Sequence, residues 1–262
     1  MDSITRQTTE FIVLGCRAGS PGEGSAASGY LIRHNGRTIL LDCGPGVVME
    51  LTRLGFADHL DAVLISHAHA DHCADLVALA YQRLFPVPKP PLPLWGAAPV
   101  QQVLDALDAV FSIPTLPALA HPLSRAFAFM PIPTAAPFAV ADLLVEATPT
   151  VHPTLTFALR FAELGLVYTA DAALTDELAA FAHGAALLVS ECTYPSADGH
   201  DLNGHGHMSA THAGQLGARA QAQRLLLTHF SALSEAALSA HIAAEQYSGE
   251  IILAHPSLRV SF

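Results

Sequence analysis

Three imidazoles and a carboxylate crowd into one short stretch of this chain, His67-Ala68-His69-Ala70-Asp71-His72. Neutral imidazole nitrogens and carboxylate oxygens suit a borderline divalent ion such as Zn²⁺, with bonds of roughly 2.0–2.2 Å. The stretch follows the apolar run Ala62-Val63-Leu64-Ile65 and Ser66, and that run reads as a buried strand. In an extended loop beyond it, His67 and His69 are two apart and can point to one side. Asp71 and His72 open a helix expected over residues 71–79 and turn toward a second ion. A single His-x-His means little in a chain with 15 histidines, but the whole pattern placed directly after a strand is specific.

The elements that must position these residues follow a mixed α/β order. Residues 10–15 read as a first strand running into the Gly- and Ser-rich loop 19–25. Tyr30-Leu31-Ile32-Arg33 and Arg37-Thr38-Ile39-Leu40-Leu41-Asp42 flank Asn35-Gly36, the strongest short hairpin signal. Asp42-Cys43-Gly44-Pro45-Gly46 then leads into an amphipathic segment over 47–54, which Asp42 could cap. The segment 85–137 holds 12 of the 18 prolines. It is expected to contain a strand at 92–96 and a helix at 99–107, and to shape one side of the pocket. Trp95, Phe111, Phe127, Phe129 and Met130 are expected in the core. Strand-like runs resume at 143–152, 156–161, 166–171, 187–194 and 224–231. A helix is expected over 210–222, capped by Ser209, with a final helix from Ser234 and an edge strand at 251–253. His200 and His205 fall in a polar loop and are expected in solvent. With no repeat and no flexible linker, residues 1–262 read as one domain.

Composition narrows the function classes. Hydrophobic residues make up 51% of 262 and charged ones 13%, enough for a sizeable core. The formal charge is −11 and only 12 residues are Lys or Arg, so no basic face for a long nucleic acid is expected. No apolar run approaches the ~20 residues of a membrane span. Met1-Asp2-Ser3-Ile4-Thr5-Arg6 lacks the character of a signal peptide. Cys16, Cys43, Cys73 and Cys192 are scattered and show neither a disulfide framework nor a zinc knuckle. A cytoplasmic protein acting on a small molecule is expected, and nothing in the chain opposes a homodimer.

The histidine cluster resembles the signature of the metallo-β-lactamase superfamily, and so does the strand, hairpin, Asp-x-Gly and helix that precede it. The resemblance implies a four-layer αββα sandwich: two mixed β-sheets face to face with helices outside. It also implies three further ligands in fixed order, and His152, Asp171 and His229 stand where they are required. Two divalent ions are implied, most simply Zn²⁺, with Mn²⁺ or Fe as alternatives. His67, His69 and His152 would hold one ion and Asp71, His72 and His229 the other, with Asp171 bridging. Asp42 matches a residue that orients the ligands.

Three later motifs resemble the branch of ribonuclease Z and the phosphoribosyl cyclic phosphodiesterase of phosphonate breakdown: Glu191-Cys192-Thr193-Tyr194, Gly206-His207-Met208-Ser209 and Thr228-His229-Phe230-Ser231. In that branch a Glu–His pair serves the leaving oxygen, a role the resemblance carries to Glu191 and His207. Removing His207 is then expected to cost more than Glu191→Gln. A metal-bridging hydroxide would attack phosphorus, and Asp71 could take the water's proton as well as ligate. Two departures matter. His152 and Asp171 are only 19 positions apart, which leaves no room for the tRNA-gripping arm of ribonuclease Z. The cysteine-rich structural zinc site of the phosphoribosyl enzyme has no counterpart. A phosphodiesterase for small, cyclic or nucleotide-like phosphodiesters is therefore expected. A thioesterase or lactonase of the glyoxalase II type is the alternative; tRNA 3′-processing and a non-enzymatic binding module fit less well.

Overall fold

The apolar runs become strands because each can bury both faces between a second sheet and a layer of helices. The computed structural model describes residues 9–261, so the stretch read for a signal peptide lies outside the described residues. The first half of the chain supplies β1 (Glu10–Arg17), β2 (Ala26–Ala27), β3 (Gly29–His34), β4 (Arg37–Leu41), β5 (Ala62–Ile65), β6 (Leu92–Gly96) and β7 (Phe127–Pro131). The second half supplies β8 (Phe138–Val140), β9 (Leu143–Pro149), β10 (Phe157–Phe161), β11 (Leu166–Tyr168), β12 (Leu187–Glu191), β13 (Arg224–Thr228) and β14 (Glu250–Leu253). A last strand, β15 (Arg259–Ser261), returns to pair antiparallel with β1. The sheets run β15-β1-β3-β4-β5-β6-β7, with β2 beside β1, and β14-β13-β12-β11-β10-β9-β8. Both are mixed, antiparallel at one end and parallel at the other.

The sheets face each other through large side chains. Tyr30 of β3 and Tyr168 of β11 lie with ring centroids 5.4 Å apart, and the Tyr30 hydroxyl is 2.8 Å from Thr228 Oγ1 of β13. Both rings are buried, as are Phe11, Phe157 and Phe161 around them. Each such side chain contributes roughly 1.5–3 kcal/mol by leaving water. Helices Val47–Arg53, Leu76–Leu84 and Ala98–Phe111 accompany the first sheet, and Ala210–Arg219 and Ala236–Ala244 the second. Two mixed sheets with flanking helices is the expected architecture. At the β3–β4 hairpin, Asn35 (φ 50°) and Gly36 (φ 79°) are both left-handed, as an Asn-Gly turn of this kind requires.

Several elements differ from expectation, and the differences locate the site. The runs expected to 152, 171, 194 and 231 stop at Pro149, Tyr168, Glu191 and Thr228, each three residues early. His152, Asp171 and His229 therefore sit on loops just beyond strand ends. The helix expected over 71–79 is two pieces, Ala70–Cys73 and Leu76–Leu84. Asp75 lies at the break, and its Oδ2 accepts from Val48 N at 2.9 Å. Asp75, not Asp42, thus serves the N-terminus of helix Val47–Arg53. The Pro-rich segment extends the first sheet with β6 and β7 instead of entering the pocket. It also leaves Phe111 44% exposed, against the expectation of a core position, while Phe127 is buried. All four cysteines are free and buried.

Candidate metal centre

The seven expected ligands converge between the sheets, at the carboxyl ends of β4, β5, β9, β11 and β13. Donor atoms of His67, His69, His152 and Asp171 fall within 4.8 Å of one another, as do those of Asp71, His72 and His229. In the first group His152 Nε2 faces His69 Nδ1 at 3.0 Å, and His67 Nε2 lies 3.6 Å from Asp171 Oδ2. In the second, His229 Nε2 is 3.3 Å from both His72 Nε2 and Asp71 Oδ2. Asp171 serves both. Its Oδ2 turns to the first group, and its Oδ1 lies 3.3 Å from His72 Nε2 and 3.4 Å from His229 Nε2. The atoms of Asp171, His207 and His229 also lie close enough to share an ion.

These residues fit divalent cations on the structure's own terms. His67 Nε2 and Asp171 Oδ1 are buried and make no hydrogen bond, a costly state unless an ion takes their lone pairs. The outer ring nitrogens of His67, His72, His152 and His229 are spoken for. The Ser66 hydroxyl donates to Asp42 Oδ2 at 2.9 Å, so its oxygen accepts from His67 Nδ1 at 3.0 Å. His72 Nδ1 donates to Asp42 Oδ2 at 2.8 Å, and His152 Nδ1 donates to the Gly206 carbonyl at 2.9 Å. The Thr193 hydroxyl donates to Glu191 Oε2 at 2.6 Å and accepts from His229 Nδ1 at 3.0 Å. In the neutral ring each bond fixes the tautomer with Nε2 bare toward the cluster, the arrangement that metal-binding imidazoles use. His69 alone offers Nδ1.

Sequence reasoning named the residues that converge here but not most of what holds them. Asp42 is fully buried and accepts four hydrogen bonds, adding Ser66 N at 2.7 Å and the Tyr168 hydroxyl at 2.7 Å to the two above. Asp71 Oδ2 accepts from Gly19 N at 2.7 Å, which reaches the site from the loop after β1. Gly206 is left-handed (φ 65°), and a Cβ there would sit 2.5 Å from the His152 Cα. Asp42, Ala170 and His229 are themselves left-handed, at 59°, 51° and 59°. Backbone strain of this kind costs of order 1 kcal/mol or more per residue and persists where the surroundings over-determine it.

Charge follows burial and partners. Burial holds the His67 imidazole well below its usual range, helped by neighbouring His72, and burial lowers His152 as well. Burial opposes charge on His72 too, but Asp171 and Asp42 outweigh it and raise His72 well above its usual value. Asp171 and Asp71 stay ionised despite burial, because His229 and His72 face both. Without cations, a proton on His72 offsets part of the carboxylate charge.

Beside the clusters stands a Glu–His pair. His207 Nδ1 lies 3.0 Å from Glu191 Oε1. Burial works against charging His207, but the bond to Glu191 and its charge push the imidazole up to about 9. Glu191 is buried at the end of β12, where Ala172 N (2.8 Å), Met208 N (3.1 Å) and Thr193 N (3.3 Å) also donate to it. A cleft of about 360 Å³ opens over these groups, lined by Ala18, Gly19, Tyr194, Ser231 and site residues, with nothing from 85–137. His200 and His205 are exposed as expected, although His200 also stacks on Tyr194.

Two open His/Asp clusters that share a carboxylate, carried on loops between two mixed sheets, define a metallohydrolase of the metallo-β-lactamase fold. The chain belongs to the beta-lactamase superfamily, whose domain model (Beta-lactamase superfamily domain) matches residues 37–230. It is 33% identical over 227 residues to the probable metallo-hydrolase YhfI of Bacillus subtilis, covering 83% of this chain and 85% of that protein. The crystal structure of YhfI superposes with a TM-score of 0.83 at 28% identity, over 98% of this chain and 100% of YhfI. The short form of human tRNase Z shares the fold at a TM-score of 0.73 and 20% identity, covering 96% and 98% of the chains. A diphosphatase of the PhnP family does so at 0.73 and 17%, covering 97% of each. Among the described residues no helix is long and apolar enough to cross a membrane.

Proposed function

We propose that this protein is a phosphodiesterase for small, cyclic or nucleotide-like phosphodiesters and that it works with two Zn²⁺ ions. His67, His69 and His152 would hold one cation and Asp71, His72 and His229 the other, with Asp171 shared between them. When bound, such cations supply the charge that activates water and neutralises phosphoryl oxygens. The chain's residues handle the protons. Asp71, kept ionised and with Oδ1 outside the hydrogen bonds described, accepts the water's proton. The water oxygen bonds to phosphorus as the bond to the leaving oxygen breaks, and His207 gives its proton to that oxygen. Glu191 holds the imidazole in place and in its charged form.

One observation carries the choice of phosphorus over carbonyl carbon: the Glu191–His207 pair sits at 3.0 Å beside the clusters and on the cleft wall. A poor alkoxide leaving group needs a proton donor of this kind. The tRNase Z and diphosphatase names among the structural neighbours denote hydrolysis at phosphorus and support the same choice over carbonyl carbon. A short β10–β11 hairpin joins His152 to Asp171, and no Lys or Arg lines the cleft, which weighs against structured RNA. Turnover of bis(p-nitrophenyl) phosphate and cyclic phosphodiesters, set against acyl thioesters and lactones, tests the reading. Preference for thioesters or lactones would overturn it, and efficient cleavage of precursor tRNA would overturn its size limit.

A further inference from the structure

Among the described residues the cleft contains one aromatic ring other than the histidines, and the metal and proton chemistry leaves it unused. Tyr194 lines the cleft beside His207 and is half-buried. Its backbone is pinned, with its carbonyl accepting from Ala210 N at 2.9 Å and its amide donating to Met208 O at 3.4 Å. His200 backs the ring in a stack, with centroids 3.9 Å apart and planes 19° apart. His207 meets the ring nearly edge-on, at 6.4 Å and 85°. A core tyrosine would bury its ring among aliphatic side chains, whereas this one is braced by a second aromatic and presented to a polar cleft. Rigid aromatic surfaces of this kind bind flat rings by stacking.

The charge around it supplies a second, independent constraint. Among the described residues lining the cleft the basic side chains are histidines, and His207 is the one with no place in the two paired clusters. The remaining wall is Ala18, Gly19, Ser231 and Tyr194, with no Lys or Arg. The chain as a whole carries a formal charge of −11. Arg17, beside Ala18, has its guanidinium committed to the Phe230 and Ser231 carbonyls and to Glu23 at 3.3 Å, so no uncommitted Lys or Arg among the described lining residues would neutralise a second phosphate on the substrate.

We propose that the Tyr194–His200 stack is the leaving-group subsite. It selects phosphodiesters whose leaving alkoxide carries a flat aromatic ring, as a nucleoside does, and no further phosphate. The proposal rests on the phosphodiesterase reading for its chemistry, but binding alone can test the wall. Adenosine monophosphate and ribose 5-phosphate present the same phosphate to the zinc-loaded protein and differ only in the base. Calorimetric titration should show the nucleotide bound about tenfold or more tighter, the worth of one base–aromatic stack. Tyr194→Leu should bring that ratio near one and Tyr194→Phe should keep it. His200→Ala, an exposed position, should lower it by a smaller factor. Adenosine 3′,5′-bisphosphate should bind no tighter than the monophosphate. A wild-type ratio near one would overturn the proposal, as would a preference that survives Tyr194→Leu in a variant with an unchanged melting curve. Tighter binding of the bisphosphate would overturn its charge limit. A base preference without any phosphodiester hydrolysis would leave the wall standing and remove the chemistry, while hydrolysis without a base preference would do the reverse.

Discussion

Replacing His207 by alanine separates proton donation from metal binding. The imidazole is anchored through Nδ1 to Glu191 Oε1 at 3.0 Å, which leaves Nε2 for the substrate. Its value of about 9 in the metal-free protein keeps it charged by roughly 30 to 1 at pH 7.5. Cations in the neighbouring clusters would lower that value, since like charge disfavours the imidazolium. His207→Ala should therefore reduce kcat by ~10²–10⁴ on alkyl phosphodiesters, which must expel a poor alkoxide. On bis(p-nitrophenyl) phosphate the loss should be far smaller, because p-nitrophenolate departs without a proton. The assay is steady-state kinetics on the two substrates at matched metal content, with elemental analysis of each preparation. Equal losses on both substrates, or an emptied metal site, would refute the general-acid role. Glu191→Gln is expected to lower kcat less than His207→Ala, since it only disturbs the orientation and charge of the imidazole, but it carries a cost in stability that His207→Ala does not share. Five donors converge on the carboxylate: Ala172 N, His207 Nδ1, Thr193 N, Thr193 Oγ1 and Met208 N. A glutamine must turn its amide hydrogens toward some of them, costing about 1–3 kcal/mol beyond the catalytic loss.

Other perturbations follow from the same geometry. Asp42→Asn leaves an amide facing donors from Ser66, His72 and Tyr168 in a fully buried site. It should cost about 3 kcal/mol and weaken metal retention, read by calorimetric melting and elemental analysis. Gly206→Ala would place a Cβ 2.5 Å from the His152 Cα at a left-handed position and displace the carbonyl that orients that ring. Zn²⁺ affinity at the first cluster should fall, with melting temperature changing less than in Asp42→Asn. His207 has a folded value of about 9 against ~6.5 unfolded, so its contribution is complete below ~6.5 and lost as pH rises through 9. Chelator-treated protein should lose up to about 3 kcal/mol of stability across that window, and His207→Ala should flatten the curve in thermal melts. His72 is charged in the metal-free protein, so Zn²⁺ uptake should release protons. Calorimetry in buffers of different ionisation enthalpy checks this.

The ligands were legible because metal chemistry demands particular residue types, and four of them lie in one six-residue stretch. His152, Asp171 and His229 were legible from their order beyond apolar runs. Their true places, three residues past the strand end for His152 and Asp171 and one for His229, were not, because left-handed turns at Ala170 and His229 leave no mark in hydropathy. The supporting residues were harder still. Gly19 and Gly206 act through single hydrogen bonds to partners distant in the chain, Ser66 and Thr193 through several, and nothing in their types distinguishes them from ordinary loop residues. Tyr168 had read only as a strand residue, yet its hydroxyl joins the sheets to Asp42. Asp42 as an orienting residue was anticipated; its capping role was not realised, since Asp75 from a distant turn takes that place. β7 and β15 were missed because short edge strands owe their form to a neighbour and not to their own pattern.

The central claim is that two cations in the paired clusters drive phosphodiester hydrolysis. Titrating chelator-stripped protein with Zn²⁺ while recording both bound metal and turnover of a cyclic phosphodiester tests it most directly. Turnover should rise with metal, reach its plateau at two ions per chain, and vanish in His69→Ala, which should bind no more than one. Full turnover without bound metal, or two ions bound with no phosphodiester hydrolysed, would contradict it.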